Sequence, residues 1–248
     1  MSAGDIRIGC AGWTLPADLQ SSFPAGESHL QRYAQVFNAS EINSSFHKPH
    51  RPTTYERWAR SVGEGFAFSA KLPKQITHEA RLVDPDAALD AFFAEASGLG
   101  PHLQCLLVQL PPSLAFDAAV ADPFAAALRE RYAGPVALEP RHASWFTPEV
   151  DAWLVQRRIG RVLADPVRHA AGAAPGGWPG LVYLRLHGSP RVYYSSYAPE
   201  VLEALAPRLR EAAASGAEVW CIFDNTAGQA AAGNALTLQR LVAQTNGG

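Results

Sequence analysis

Eight short apolar runs recur along the chain, each closed by turn residues and separated from the next by an amphipathic stretch. This alternation constrains the fold more than any single motif. The runs occupy residues 6–10, 40–43, 66–71, 104–109, 136–141, 161–165, 182–187 and 218–225. They are rich in Val, Ile, Leu and Phe and too short to stand as helices, which predicts strands. Helices are predicted between most of them, at 30–37, 87–98, 123–132, 148–157, 199–211 and 226–245. In the first, Leu30, Tyr33, Ala34 and Phe37 share one stripe. Pro123, Pro148 and Pro199 sit where first-turn prolines belong, Thr147 is placed to cap the helix after it, and Pro207 predicts a kink or break.

Eight strands alternating with helices over 248 residues is the arithmetic of a (β/α)8 TIM barrel in a single domain, 1–248. A doubly wound open sheet is the alternative, and periodicity does not separate the two. The one irregular stretch is 169–180 (HAAGAAPGGWPG), where a clear helix is missing. It reads as a surface loop or, with Gly-Gly and Pro-Gly as hinges, as a mobile lid.

Side chains along a strand alternate between two faces. If Leu184 and Leu186 face the surrounding helices, Tyr183, Arg185 and His187 point inward. Leu138 facing out turns Glu139 and Arg141 in, and Ile42 facing out turns Glu41 and Asn43 in. The same parity predicts Lys71, Gln109, Asp165 and Asn225 at the inner ends of their strands. A barrel core selected for stability alone would be filled with aliphatic residues, because an unpaired buried charge is costly. A polar ring at the C-terminal mouth is where barrel enzymes carry their sites. Ion pairs of Glu41 or Glu139 with Arg141 or Arg185, of Lys71 with Glu41, and of Asp165 with His187 would make the same ring purely structural.

Composition narrows the function classes. A 48% hydrophobic content excludes general disorder, and a net charge of -2 argues against coating nucleic acid through bulk positive charge. Cys10, Cys105 and Cys221 each lie in an apolar run, as buried thiols of a reducing compartment do. The first strand begins almost at the N-terminus, and no apolar stretch is long enough to span a bilayer, so a cytoplasmic protein is expected. No G-x-G-x-x-G or Walker A loop is present, so no organic cofactor is expected.

Eight short motifs follow in order: Gly9-Cys10-Ala11-Gly12-Trp13, Glu41-Ile42-Asn43-Ser44-Ser45-Phe46, Lys71-Leu72-Pro73 with Thr77-His78, Gln109-Leu110-Pro111-Pro112, Glu139-Pro140-Arg141-His142-Ala143-Ser144-Trp145, Ala164-Asp165-Pro166, Arg185-Leu186-His187-Gly188 and Phe223-Asp224-Asn225-Thr226. The series resembles the DUF72 family (YecE-like, UPF0759) over nearly the whole chain. The resemblance implies a TIM barrel and no defined activity. The chain departs from the usual pattern at Pro140, His47 and Asp224, and 15–24 lacks the usual tryptophan and tyrosine.

The ring predicts an enzyme acting on a small anionic substrate, phosphorylated or carboxylated, by acid/base chemistry. Glu41, Glu139 and Asp165 are candidate bases, and His142 and His187 candidate acids. Lys71 is a candidate electrostatic clamp or Schiff-base amine. Trp13, Asn43, Gln109, Arg141, Arg185 and Tyr197 are candidate ligand contacts. Gly188 and the Asn225-Thr226 loop would offer backbone N–H groups to an anion at a helix start. A metal-dependent hydrolase or isomerase is the first alternative, with Glu139, His142, Asp165, His187 or Asp224 as ligands. Inward Arg141 and Arg185 would repel a dication, and no metal is expected. A barrel binding nucleotide or nucleic acid is the second alternative, with Trp13, Trp145, Tyr193, Tyr194 and Tyr197 to stack on bases. Trp58, Trp153 and Trp220 are expected to pack helices on the barrel.

Overall fold

The computed structural model describes residues 4–244. In it the first five apolar runs form β1 (Ile6–Ala11), β2 (Ala39–Ile42), β3 (Ala67–Lys71), β4 (Leu103–Gln109) and β5 (Val136–Glu139), each parallel to the one before. The sixth run starts earlier than expected and is split into β6 (Ile159–Arg161) and β7 (Leu163–Asp165). A two-residue strand, β8 (Gly176–Gly177), pairs antiparallel with β6. The last two runs are β9 (Leu181–Leu186) and β10 (Glu218–Phe223). β6 pairs with β5 while β7 pairs with β9, β9 with β10, and β10 with β1. Both ends of the parallel sheet therefore lie on one short piece of chain, 159–165, which closes the sheet into a barrel and rules out the open alternative.

Seven α-helices cover the outside among the described residues: α1 (His29–Ala34), α2 (Pro52–Arg60), α3 (Asp86–Ala96), α4 (Ala118–Arg131), α5 (Pro148–Gln156), α6 (Pro199–Ala214) and α7 (Ala231–Ala243). None is long and apolar enough to cross a membrane. Thr147 caps α5 as expected, its hydroxyl accepting from Val150 N at 3.3 Å. Four details differ from the sequence expectation. α2 has no aliphatic stripe, since it docks through Tyr55 and Trp58, and it was not predicted. Asp117 caps α4 by accepting from Ala119 N at 2.9 Å, so Pro123 lies inside the helix and not in its first turn. Pro207 likewise sits inside an unbroken α6. The carbonyls these two prolines leave free belong to Ala119 and Glu203, both exposed residues that solvent can reach. Residues 226–229 form a turn, and α7 starts only at Ala231. The segment 169–180 begins beside the rim, where His169 Nε2 lies 3.3 Å from Arg141 O. It carries a 3-10 turn at Ala170–Gly172 and then runs back along β6 through β8.

The barrel wall has two apolar faces. Ile8, Ile42, Leu138, Leu184 and Leu186 pack outward under the helices, as parity predicts. Inside, Ala39, Ala67 and Ala137 leave room for the two large rings of Tyr183 and Trp220, stacked 5.8 Å apart at 11°. Trp220 therefore fills the barrel interior and does not pack a helix, whereas Trp58 and Trp153 do lie against the outer core. Alternating small and large side chains is how a small barrel fills its taper.

β1 and β2 come together over Gly9. Tyr33 Oη accepts from Cys10 N at 2.7 Å and donates to Ala39 O at 3.0 Å, bridging the two strands. A Cβ on Gly9 would lie 1.9 Å from Ala39 O and 2.8 Å from Tyr33 Oη, both fixed groups. Gly9→Ala is accordingly expected to destabilise the fold at or beyond the upper end of the about 1–3 kcal/mol typical of overpacking. Urea unfolding of the variant against wild type checks this, and an unchanged midpoint would contradict it.

Candidate functional site

Parity aims Arg185 of β9 into the barrel above the apolar plug, where it is 1% exposed. A guanidinium has five N–H donors, and here all are engaged. Nε donates to Glu41 Oε2 at 2.9 Å and Nη2 to Glu41 Oε1 at 2.7 Å, a bidentate pair. Nη2 also donates to Asp224 Oδ2 at 2.8 Å. Nη1 donates to Glu139 Oε2 at 2.7 Å and to His187 Nε2 at 3.1 Å, with Gln109 Oε1 at 3.4 Å. Tyr183 gives its one hydroxyl hydrogen to Glu41 Oε2 at 2.9 Å, so Ser69 Oγ, 2.7 Å away, must donate to Tyr183. Burial works against the Arg185 charge, but Glu41, Glu139 and Asp224 hold it firmly protonated. Arg185, expected as a ligand contact, is thus the internal counter-ion of the ring.

Above it, Arg141 pairs with Glu139 Oε1 and reaches His187 Nε2 at 3.2 Å through Nη2. Arginine only donates, so His187 Nε2 is an acceptor and the ring proton sits on Nδ1, given to Arg185 O at 3.2 Å. Burial pulls the His187 pKa down to about 4, and the two arginines add to it against Glu139. His187 is neutral here, a hydrogen-bond hub and not a charged acid. Burial alone would raise Glu139, yet Arg185 and Arg141 hold it well below the ordinary carboxylate range. Asp224 goes the other way: its burial, together with the neighbouring Glu41 and Glu139 charges, outweighs Arg185 and raises it.

Lys71 differs from every other cation of the ring. It ends β3, it is 5% exposed, and no acceptor among the described residues lies within hydrogen-bond or ion-pair distance of its Nζ. The expected pair with Glu41 is absent because Arg185 and Tyr183 already occupy that carboxylate. Instead Nζ lies 4.0 Å from the centroid of the Phe46 ring. Ser45 Oγ donates to Lys71 O at 2.7 Å, which ties the turn after β2 to the end of β3 and brings Phe46 over the lysine. His78 sits edge-on to the same ring at 4.9 Å, carried by a π-helical turn, Gln75–Glu79, directly after β3. Burial and then the Lys71 and Arg141 charges hold His78 below the ordinary imidazole value. Neither Phe46 nor His78 was singled out from the sequence, although both lie in its motifs. Their convergence depends on two loops whose course the strand pattern does not reveal.

The other expected site residues divide. Gln109 joins the ring as predicted. Asn43 and Trp13 line a cleft of about 400 Å³ together with Glu41, and Asn43 Oδ1 is buried without a partner. Asp165 does not point inward: Ala164 takes that place, and Asp165 Oδ1 accepts from Tyr197 Oη at 2.7 Å. Asp224 likewise takes the inner place expected of Asn225, whose Nδ2 donates to Ser195 O at 2.9 Å and Asn234 Oδ1 at 2.8 Å. Both corrections are one-residue shifts of parity. His142 turns away to accept from Ser144 N at 3.2 Å. Gly188 N is already donated to Tyr197 Oη at 2.9 Å, and Thr226 lies in the turn before α7, so neither presents a helix start to an anion. Trp145 and Tyr197 are 1% and 6% exposed, which removes them as stacking platforms. Among the described residues no group of three His, Cys, Asp or Glu side chains is placed to hold a metal ion.

A model of the DUF72 family, described as a protein of unknown function, matches residues 7–248. The chain belongs to the DUF72 family. UPF0759 protein YecE of Escherichia coli (strain K12) is 30% identical over 106 residues, 43% of this chain and 38% of that protein. UPF0759 protein YunF of Bacillus subtilis (strain 168) is 30% identical over 154 residues, 58% of this chain and 53% of that one. The chain thus spans only about two fifths to one half of the length of these curated relatives. A crystal structure of a DUF72 family protein from Enterococcus faecalis V583 superposes with a TM-score of 0.82 at 20% identity, covering 97% of this chain and 96% of that one. One from Thermotoga maritima MSB8 gives 0.77 at 23% identity, covering 96% and 99%. These two show the fold.

In this DUF72 barrel, Arg185→Met would leave three buried carboxylates without their shared counter-ion. A loss of about 3–5 kcal/mol in urea unfolding is expected. A loss below about 1 kcal/mol would mean the ring is solvated and not ion-paired. His187 supplies a pH test. Its folded pKa lies below the ordinary 6.5, so nothing is lost above that value. As pH falls from 6.5 toward about 4 the unfolded chain takes up a proton that the folded one refuses. His187→Gln, which keeps an acceptor, should remove a stability slope of about 1.4 kcal/mol per pH unit across that window. Identical slopes in the two proteins would contradict the neutral assignment.

Proposed function

We propose that the C-terminal mouth of this barrel binds a small anionic substrate, carrying a phosphate or carboxylate, and acts on it by acid/base chemistry. One observation carries the reading: Lys71 is a largely buried cation with no hydrogen-bond or ion-pair acceptor among the described residues. The carboxylates that would neutralise it are turned onto Arg185 and Arg141. A desolvated ammonium left unpaired is costly, and an incoming anion offsets that cost. Arg141 adds a second positive charge: its Nε and Nη2 are engaged with Glu139 and His187, and its Nη1 makes no hydrogen bond among the described residues. The cleft of about 400 Å³ over the ends of β1 and β2, which shares Glu41 with the ring, is within the range that small-molecule sites occupy. Asp224, whose pKa burial raises to about 6, is the group suited to exchange protons near neutrality, and His78 stands by as a neutral imidazole.

Thermal shift with inorganic phosphate, sugar phosphates and small carboxylates tests the reading on wild type and Lys71→Met. A ligand at about 100 times its dissociation constant should stabilise wild type by about 2.7 kcal/mol. Lys71→Met should remain folded and lose most of that response. Equal stabilisation of both proteins, or of neither, would overturn the proposal.

A further inference from the structure

Resting on that reading of the mouth, we propose that Lys71 is a covalent catalyst. Its Nζ condenses with a carbonyl of the bound anion, so the substrate class is a phosphorylated or carboxylated aldehyde or ketone.

The geometry separates Lys71 from a simple anion clamp. A clamp needs its ammonium to stay protonated, whereas a nucleophile needs the neutral amine within reach near neutral pH. Lys71 is instead withdrawn to 5% exposure at the end of β3, packed on the face of Phe46, and denied every neighbouring carboxylate. The charged groups around it come from several elements. They are Glu41 from β2, Glu139 from β5, Arg185 from β9 and Asp224 after β10, with His78 on the turn after β3. The carboxylates are held by arginines, so no ion pair fixes the proton on Nζ. Burial first, and then the Arg185 charge, pull the Lys71 pKa down to about 8, against the opposing charges of Glu41, Glu139 and Asp224. A desolvated lysine beside another cation is the environment in which an amine becomes a nucleophile near neutral pH.

The step balances without any further reagent. The neutral amine adds its lone pair to the carbonyl carbon, giving a carbinolamine. Its two N–H hydrogens leave with the carbonyl oxygen as water, and a carbon–nitrogen double bond forms. One proton taken from solvent makes the iminium, which draws electrons from the adjacent carbon. Asp224 and His78 are the titratable groups at hand to move those protons.

The chain suits a direct test, because Lys48, Lys71 and Lys74 are its only lysines. Lys48 and Lys74 are exposed, and Lys74 pairs with Glu79 at 2.9 Å. Wild type is incubated with pyruvate, dihydroxyacetone phosphate or glyceraldehyde 3-phosphate, reduced with sodium borohydride, and read by intact mass and peptide mapping. Acetone serves as the neutral control. The expected result is one adduct at Lys71, formed about tenfold or more faster than at Lys48 or Lys74. It should form with at least one anionic carbonyl and not with acetone, and excess phosphate should suppress it. Lys71→Arg, checked for an unchanged Tm, should lose it. Labelling spread equally over the three lysines, or absent from Lys71, overturns the inference. If phosphate still stabilises wild type but not Lys71→Met while no adduct forms, Lys71 is an anion clamp and only the covalent role falls. If there is neither stabilisation nor adduct, the anion reading falls with it.

Discussion

Arg185 Nε and Nη2 hold Glu41, Nη1 holds Glu139, and Nη2 also holds Asp224, so one guanidinium neutralises carboxylates arriving from three sides of the barrel. The planar fork of arginine makes this possible, because it reaches several acceptors at fixed angles where an ammonium offers a point charge. Removing a carboxylate from water costs several kcal/mol unless such partners replace the lost hydration. The polar layer can therefore exist above an apolar plug only while Arg185 is there. Arg141 and neutral His187 extend the network toward the mouth, and Tyr183 and Ser69 close it below.

That network also sets what is left over. Because Glu41, Glu139 and Asp224 are directed at the arginines, Lys71 is enclosed without a partner. The same ion pairs that make most of the ring structural leave one reactive group at its edge. The proposed function accordingly rests on Lys71 and the Phe46 and His78 side chains around it, and not on the whole ring.

Much of this was legible in the sequence. Period-two parity located Tyr183, Arg185, Glu139, Glu41, Lys71 and Gln109 correctly, because each lies within or at the end of a regular strand whose opposite face is aliphatic. The expected parity was off by one residue at Asp165 and Asn225: Val162 and Ala164, like Trp220 and Ile222, face inward, so strict alternation turns Asp165 out and brings Asp224 in. The break at Val162 lets the sixth strand pair with different neighbours on its two halves, and no composition cue marks it. Which carboxylate meets which cation was not legible either: Glu41 and Lys71 are on adjacent strands, yet Glu41 is committed to β9 across the barrel. Phe46 and His78 were missed because they reach the site on turns, where neither period applies. Trp145 and Tyr197 were misjudged for the same reason, since a loop position says nothing about whether its side chain folds back into the core.

Family membership and fold are shared with DUF72 proteins, but barrel architecture hosts many chemistries, so the function must be argued from the site itself. The central claim is that Lys71 stands buried outside the ion-pair network. Nuclear magnetic resonance of the labelled lysine side chains from pH 6 to 11 addresses it most directly, since three lysines give three resolvable signals. One signal, assigned by its loss in Lys71→Met, should titrate near 8, below the ordinary lysine value of about 10.4. A Lys71 signal titrating at that ordinary value would mean Lys71 is hydrated or paired, and the account would be wrong at its centre.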